Sequence, residues 1–403
     1  MAAMSTSAIA HDAISQQNGL SVRFKISISG SNAPCTSKAK SIYNVLQTGR
    51  ETAMHHRVSR LRNALDEKRL EALIISEIEN VRYLTGFTGS SAVAVVSKDD
   101  SVLITDGRYR EQARIEAPQW ETVVCTGDLA KSISSVLEGV ESPGFEVTAS
   151  FDLTERLREA LTGRSTLQPT RGMVEELRER KDEQEISLIR QALECAGKAF
   201  AETLPLVKPG NTEREIAAEL DYKMMLSGAD GAAFETVVAS GPNSSLPHAG
   251  ITDRVLEEGD LIVVDFGARK CGYCTDTSRT LVLGEPDPRQ QALLETVKEA
   301  GDAALSALKA GLPASEADGA ARKVVADRGF ADSFSHGLGH GVGLAVHERP
   351  VLSSLSKDVL GPGMVFTVEP GIYIEGWGGA RIEEMVLLTS SGVEVLSLAI
   401  PGR

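Results

Sequence analysis

The sequence predicts two folded domains: an α/β domain on a mixed sheet over residues 55–172, then an α+β domain with a pseudo-twofold repeat over 173–403. Three observations predict them. Short apolar runs alternate with helical stretches in the first part. A charge-dense stretch between Pro169 and Ala201 divides the chain. Beyond it, one pattern occurs twice at an offset of 104 residues. A length of 403 residues is ample for two cores.

The first 50 residues hold nine Ser, five Lys or Arg and one acid, Asp12, with no apolar stretch suited to a secretory leader. Residues 1–54 are read as an unstructured tail or a start assigned too early, because Met54 stands just ahead of the first helical pattern. From Arg57, Val58, Leu61, Leu65 and Leu70 recur at helical spacing. Ala72-Leu73-Ile74-Ile75 then makes a short buried strand, Tyr83 to Gly89 reads as a loop, and Ala92–Ser97 and Ser101–Thr105 read as strands. Asp128–Leu137 is helical in pattern. The charge run from Glu175 to Glu183 is a solvated linker leading into a helix on which Ile186, Ile189 and Leu193 set the period.

In the repeat, Leu256, Gly259 and the strand Leu261–Val264 lead to Asp265 and Gly267; Leu360, Gly363 and Val365–Val368 lead to Glu369 and Gly371. Both copies follow helical sequence. In the first, a turn centred between Lys270 and Cys271 sets Asp265 opposite Asp276. In the second, an odd-length loop centred on Gly376 sets Glu369 opposite Glu383. Like charges so placed repel unless one is protonated or a cation lies between them. Four acids on one face of two related hairpins therefore read as a site for two hard cations.

Between the halves lies His336-Gly-Leu-Gly-His340-Gly-Val-Gly-Leu-Ala-Val-His347-Glu348, with three of the chain's seven histidines and four alternating glycines. It offers a fifth ligand among His336, His340 and His347. Its strict glycine spacing of two does not fit a dinucleotide-binding loop.

Composition narrows the function. The hydrophobic fraction is 42% and the charged fraction 24%, ordinary for a globular chain. Acids outnumber bases 56 to 42, a net charge of −14 that argues against nucleic acid or an anionic membrane as partner. No run reaches the roughly 18–20 apolar residues of a membrane helix. Five cysteines scattered along the chain do not form a disulfide framework and point to a reducing, cytoplasmic compartment. Cys271-Gly-Tyr-Cys274, at a hairpin tip with no second Cys pair, is read as turn sequence rather than a redox or zinc motif.

The string from His336 to Glu348 resembles the proline-peptidase signature throughout. Asp265-Phe-Gly, Gly272-Tyr273-x-x-Asp276-Thr-Ser-Arg279-Thr280, Glu369-Pro-Gly and Arg381-Ile-Glu383 are similar to the other blocks of that family. Residues 57–403 thus resemble the Xaa-Pro peptidases (prolidase and aminopeptidase P), with a creatinase-like N-terminal domain and a pita-bread catalytic domain. The resemblance implies metal ligands at Asp265, Asp276, His340, Glu369 and Glu383, and active-site histidines at His248, His336 and His347. Tyr373 and Arg381 take the positions that support ligands and substrate. Where some prolidases place an Arg after the His-Glu-x-Pro, this chain has Val351; Arg349 or Arg82 is then the expected partner of a dipeptide carboxylate.

The expected chemistry is hydrolysis of the Xaa-Pro bond by water bridging two divalent ions, Mn²⁺ by the carboxylate-rich ligand set, with Co²⁺ or Zn²⁺ as alternatives. Glu369 passes a proton to the proline nitrogen, and His248 and His347 hydrogen-bond the substrate and the developing oxyanion. Prolidase activity on dipeptides is the leading expectation, aminopeptidase P activity on longer peptides the alternative. An inactive binding protein on the same fold, or a creatinase-type hydrolase, ranks behind both. A homodimer is the expected assembly.

Overall fold

The computed structural model describes residues 37–402, with side chains from Ala53 onward. A helix runs Ser37–Lys68; residues up to Glu51 are a unit of their own, and both predicted domains belong to the unit that begins at Thr52. Of the segment 1–54 expected as a tail or an early start, residues 1–36 lie outside the described residues.

The first sheet has six strands in the order 121–125, 101–106, 92–97, 72–75, 143–146, 168–170. It is mixed: Ala72–Ile75 runs antiparallel to Ala92–Ser97 and parallel to Pro143–Glu146. Successive side chains of a strand face opposite ways. Leu73 and Ile75 accordingly join the core shared with the second half of the chain, while Ala72 and Ile74 pack with Ile133 and Leu157 on the outer face.

Tyr83, Leu84 and Thr85, expected in a loop, close a helix over Ile78–Thr85 that ends at Gly86 (φ 76°). The correction has a non-local cause. Glu146, on a distant strand, accepts the backbone N–H groups of Ser76 and Glu77 at 2.7 and 2.8 Å, ahead of the first helical turn. No local signal carries that contact.

In the second half, two helix pairs each precede a strand set. Helices Glu183–Thr203 and Glu213–Leu226 lead to the sheet 277–282, 261–266, 237–240; helices Pro288–Ala307 and Ala314–Asp327 lead to the sheet 348–352, 339–341, 365–368, 384–388, 393–395. The repeat holds in detail. Gly259 and Gly363 both have φ 86°, and Leu256 and Leu360 are both 1% exposed. Each leucine exchanges backbone hydrogen bonds with the loop between its two helices: Leu256 with Gly210 and Asn211, Leu360 with Gly311 and Leu312. Capping boxes at Asp182/Glu185, Thr212/Glu215 and Asp287/Gln290 fix three of the four helix starts.

The hairpin registers test the expected pairings directly. In the second copy Val368 pairs with Glu384, and Gly371 with Arg381, a register that puts Glu369 across from Glu383. In the first copy the expectation is corrected. Cys271 (φ 47°) and Gly272 (φ 85°) form the two-residue turn, one residue later than expected, so Asp265 faces Ser278 and not Asp276. Moving a turn centre by one residue moves every partner by two, which preserves the face. Asp276 therefore stays on the same side of the ribbon as Asp265, on the diagonal.

Candidate metal centre

Asp265 lies near the end of strand Leu261–Phe266 and Asp276 just before strand Thr277–Val282. Glu369 and Glu383 occupy the gap between the ladder 365–368/384–388 and the ribbon 371–374/378–381. His340 sits mid-strand in Gly339–Gly341. These five side chains line one cavity of about 580 Å³, together with His248, His336, His347 and Arg381.

Four of the five are held from behind. Arg381 Nη2 donates to Asp265 Oδ2 at 2.6 Å, and its Nε donates to Ser278 Oγ at 2.7 Å. Ser278 Oγ in turn donates to Glu383 Oε2 at 2.8 Å, and the Glu383 amide donates to the Ser278 carbonyl at 3.1 Å. Thr367 Oγ1 donates to Glu369 Oε1 at 3.1 Å. Tyr373 OH accepts from Arg381 Nη1 at 2.8 Å and lies 3.0 Å from His336 Nε2. His336 Nδ1 is 2.7 Å from the Gly337 carbonyl, the arrangement in which Nδ1–H donates and Nε2 accepts the tyrosine proton. His340 repeats it: Nδ1 is 3.1 Å from the Gly341 carbonyl, leaving Nε2 facing Glu369 Oε1 at 3.3 Å and Asp276 Oδ2 at 3.6 Å.

The electrostatics are those of a cluster built around positive charge. Burial, with Glu383, Asp265 and Glu369 adding repulsion, pushes the Asp276 carboxyl well above its ordinary value. Burial, then Glu369 and Asp265, does the same to Glu383. Burial raises Glu369 to about 7. Burial lowers His336 and His340 to about 4, so both imidazoles are neutral at pH 7, the form that binds metal.

Divalent cations fit these residues. Three overlapping groups, Asp276/His340/His347, His340/Glu369/Glu383 and Asp265/Asp276/Glu383, bring their ligand atoms within 4.8 Å of one another. Among the described residues Asp265 Oδ1 is buried without a hydrogen-bond partner, and a buried carboxylate oxygen left unpaired is costly unless a cation meets it. Oxygen-rich donors with one imidazole suit hard or borderline divalent ions.

Two expected residues are not brought to this cavity. Arg349 turns away, with Nη2 on Asp358 Oδ1 at 2.5 Å and Nε on Glu179 Oε1 at 3.1 Å. Arg82 lines a neighbouring cavity, pressed against Gly272 at the hairpin tip, where an added Cβ would lie 2.2 Å from its Cζ. Neither side chain lines the cavity of the four acids. Sequence reasoning missed Ser278 and Thr367 as supports; each lies two residues from an acid, Asp276 or Glu369, and so shares its face.

The chain matches metallopeptidase family M24 over residues 187–390 and the creatinase/prolidase N-terminal domain over 57–180. The Xaa-Pro dipeptidase of Pyrococcus furiosus is 36% identical across 85% of this chain and 98% of its own length. Among solved structures, the Xaa-Pro dipeptidase from Bacillus anthracis aligns with a TM-score of 0.83 at 38% identity, covering 86% of this chain and 98% of that one. The X-Pro aminopeptidase from Thermotoga maritima MSB8 aligns with a TM-score of 0.78 at 39% identity, covering 86% and 99%. The two matches together take in the first sheet and both halves of the repeat, and this chain belongs to metallopeptidase family M24.

Proposed function

We propose that this metal-dependent peptidase hydrolyses the Xaa-Pro bond of dipeptides, with two divalent ions, Mn²⁺ by preference, held by Asp265, Asp276, His340, Glu369 and Glu383. The observation that carries the reading is the convergence of four carboxylates and one neutral imidazole beside Asp265 Oδ1, a buried oxygen without a hydrogen-bond partner among the described residues. Dipeptide cleavage accords with the likeness to the Xaa-Pro dipeptidases of Pyrococcus furiosus and Bacillus anthracis.

Bound there, the ions supply Lewis acidity for the scissile carbonyl and a water acidified to near neutrality. The chain supplies the rest. A proline nitrogen leaves as an amine only after protonation, and Glu369, on the cavity wall with Thr367 Oγ1 donating to its Oε1, is the carboxylate that would pass that proton. His248 and His347, both exposed on the cavity wall, face the space where an oxyanion would develop. The Arg381–Tyr373–His336 chain fixes the orientation of Asp265 and ends at the cavity.

Aminopeptidase action on longer peptides is the second reading, and a specific observation favours it. Among the described residues lining the cavity, the one Arg or Lys is Arg381, already paired with Asp265. A dipeptide carboxylate would therefore be met by histidines alone. Proline release from Ala-Pro against cleavage of Ala-Pro-Ala, with Ala-Ala as control, decides between the readings; equal turnover of Ala-Ala overturns both.

No helix among the described residues is long and apolar enough to cross a membrane. Cytoplasmic action is part of the proposal and accords with the free cysteines Cys125, Cys195, Cys271 and Cys274. So is a homodimer, tested by sedimentation.

A further inference from the structure

Among the described residues the His347 ring makes no hydrogen bond, although it packs against the His340 ring with centroids 4.3 Å apart. Its placement is therefore set by its backbone. The next residue, Glu348, is clamped. Arg178 Nη2 lies 2.5 Å from Glu348 Oε1, and Lys181 Nζ lies 3.4 Å from Oε2. All three side chains are almost fully buried, at 7% exposure for Arg178, 6% for Glu348 and 1% for Lys181. Glu348 Oε1 also accepts the Ala345 amide at 2.8 Å, folding the turn that carries His347 back on itself. Gly343 permits this, since a Cβ there would come within 2.8 Å of both carboxylate oxygens. At the entry to a strand neighbouring side chains point opposite ways, so drawing Glu348 inward turns His347 toward the metal cavity.

The clamp reaches into the first domain. Arg178 Nη1 donates to Asn80 Oδ1 at 2.7 Å, and Asn80 Nδ2 donates to Glu146 Oε1 at 2.7 Å. Glu146 is the carboxylate that receives the amides ahead of helix Ile78–Thr85. One buried chain thus runs from the first sheet through the connecting segment to the residue beside His347.

We propose that Arg178, oriented by Asn80, is a positioning residue that sets His347 against the substrate, so that the creatinase-like domain takes part in building the active site of the other. The proposal rests on the proposed function, in which His347 contacts substrate. A planar guanidinium serves both Glu348 and Asn80 at once, which a lysine ammonium does not reproduce.

The test is a double-mutant cycle on the metal-loaded protein, with hydrogen exchange as a second readout. Arg178→Gln is expected to lower kcat on the cleaved Xaa-Pro peptide roughly ten- to hundredfold, the scale of a misplaced catalytic contact, with KM changed less. In the His347→Ala background the same substitution is expected to cost less than about twofold, because the residue it acts through is gone. Arg178→Lys should recover part of the loss, and Asn80→Ala, a milder change, should give a smaller loss that also vanishes without His347. Exchange of amides 343–348 should quicken in both single variants while amides 365–368 stay protected. Equal losses with and without His347, or unchanged exchange at 343–348, overturn the proposal. A wild type that cleaves no Xaa-Pro peptide defeats the proposed function instead, and the exchange experiment still decides whether Arg178 sets this turn.

Discussion

Glu369→Gln should stabilise the metal-free protein and destabilise the metal-loaded one. The Glu369 carboxyl rises from 4.5 to about 7 in the folded chain, because burial disfavours its charged form. A group whose folded pKa is raised contributes stability that is complete below its unfolded pKa and is lost as pH climbs through the folded value. At pH 7.5 nearly all of that loss has been incurred, about 3 kcal/mol at 1.36 kcal/mol per pKa unit. At pH 5.5 most of the folded protein still holds the proton, and the remaining penalty is about 1.5 kcal/mol. A neutral glutamine of the same shape removes the penalty at either pH. The metal-free variant should then melt about 4 °C above wild type at pH 7.5 and about 1–2 °C above it at pH 5.5, at roughly 1.2 °C per kcal/mol for a chain of 403 residues.

Comparing variants at one pH also cancels the buried histidines. His336 and His340, lowered to about 4, must charge when the chain unfolds in acid and so push the absolute profile the other way. The assay is differential scanning fluorimetry on chelator-stripped protein at both pH values, repeated with Mn²⁺. With metal the order should reverse, since wild type gains mass-action stabilisation that the variant loses in part. A metal-free Glu369→Gln protein no more stable than wild type at pH 7.5, or a gain that does not shrink in acid, refutes the reasoning.

Ser278→Ala removes the hydroxyl shared by Glu383 and Arg381, and should weaken metal binding about 10- to 100-fold by calorimetry while the fold persists. Arg349→Ala should leave kcat/KM on Ala-Pro within about twofold, since its guanidinium is held by Asp358 and Glu179 away from the metal cavity. Leu73→Ala, at a fully buried strand position, should cost about 2–5 kcal/mol in urea unfolding.

What the sequence reveals and what it conceals divide along the range of the forces involved. The pairing of Glu369 with Glu383 is legible because a loop centred on Gly376 (φ 71°) has one symmetric way to close. The pairing of Asp265 is misplaced by one step: Cys271, a non-glycine residue, accepts a left-handed conformation beside Gly272 and moves the turn. The error leaves the acids on one face, since face depends on parity and not on the partner. The helix at Ile78–Thr85 is hidden because its start is held by Glu146, 69 residues along the chain from Glu77. The charge run near Glu175, read as solvated, contains Arg178, whose side chain is 7% exposed; its partner Glu348 lies 170 residues on. Proximity in sequence to His347 suggests Arg349, whereas local ion pairs to Glu179 and Asp358 claim it.

The central claim is that a metal-filled carboxylate cluster cleaves Xaa-Pro dipeptides. It is tested most directly by titrating the chelator-stripped protein with Mn²⁺ while following proline release from Ala-Pro. The account predicts no release without metal and a rise that levels off at two ions per chain. It also predicts a rise that is lost when Asp276 or Glu383 is replaced by its amide. Release that persists in chelator, or a fully loaded protein that frees no proline, would contradict it.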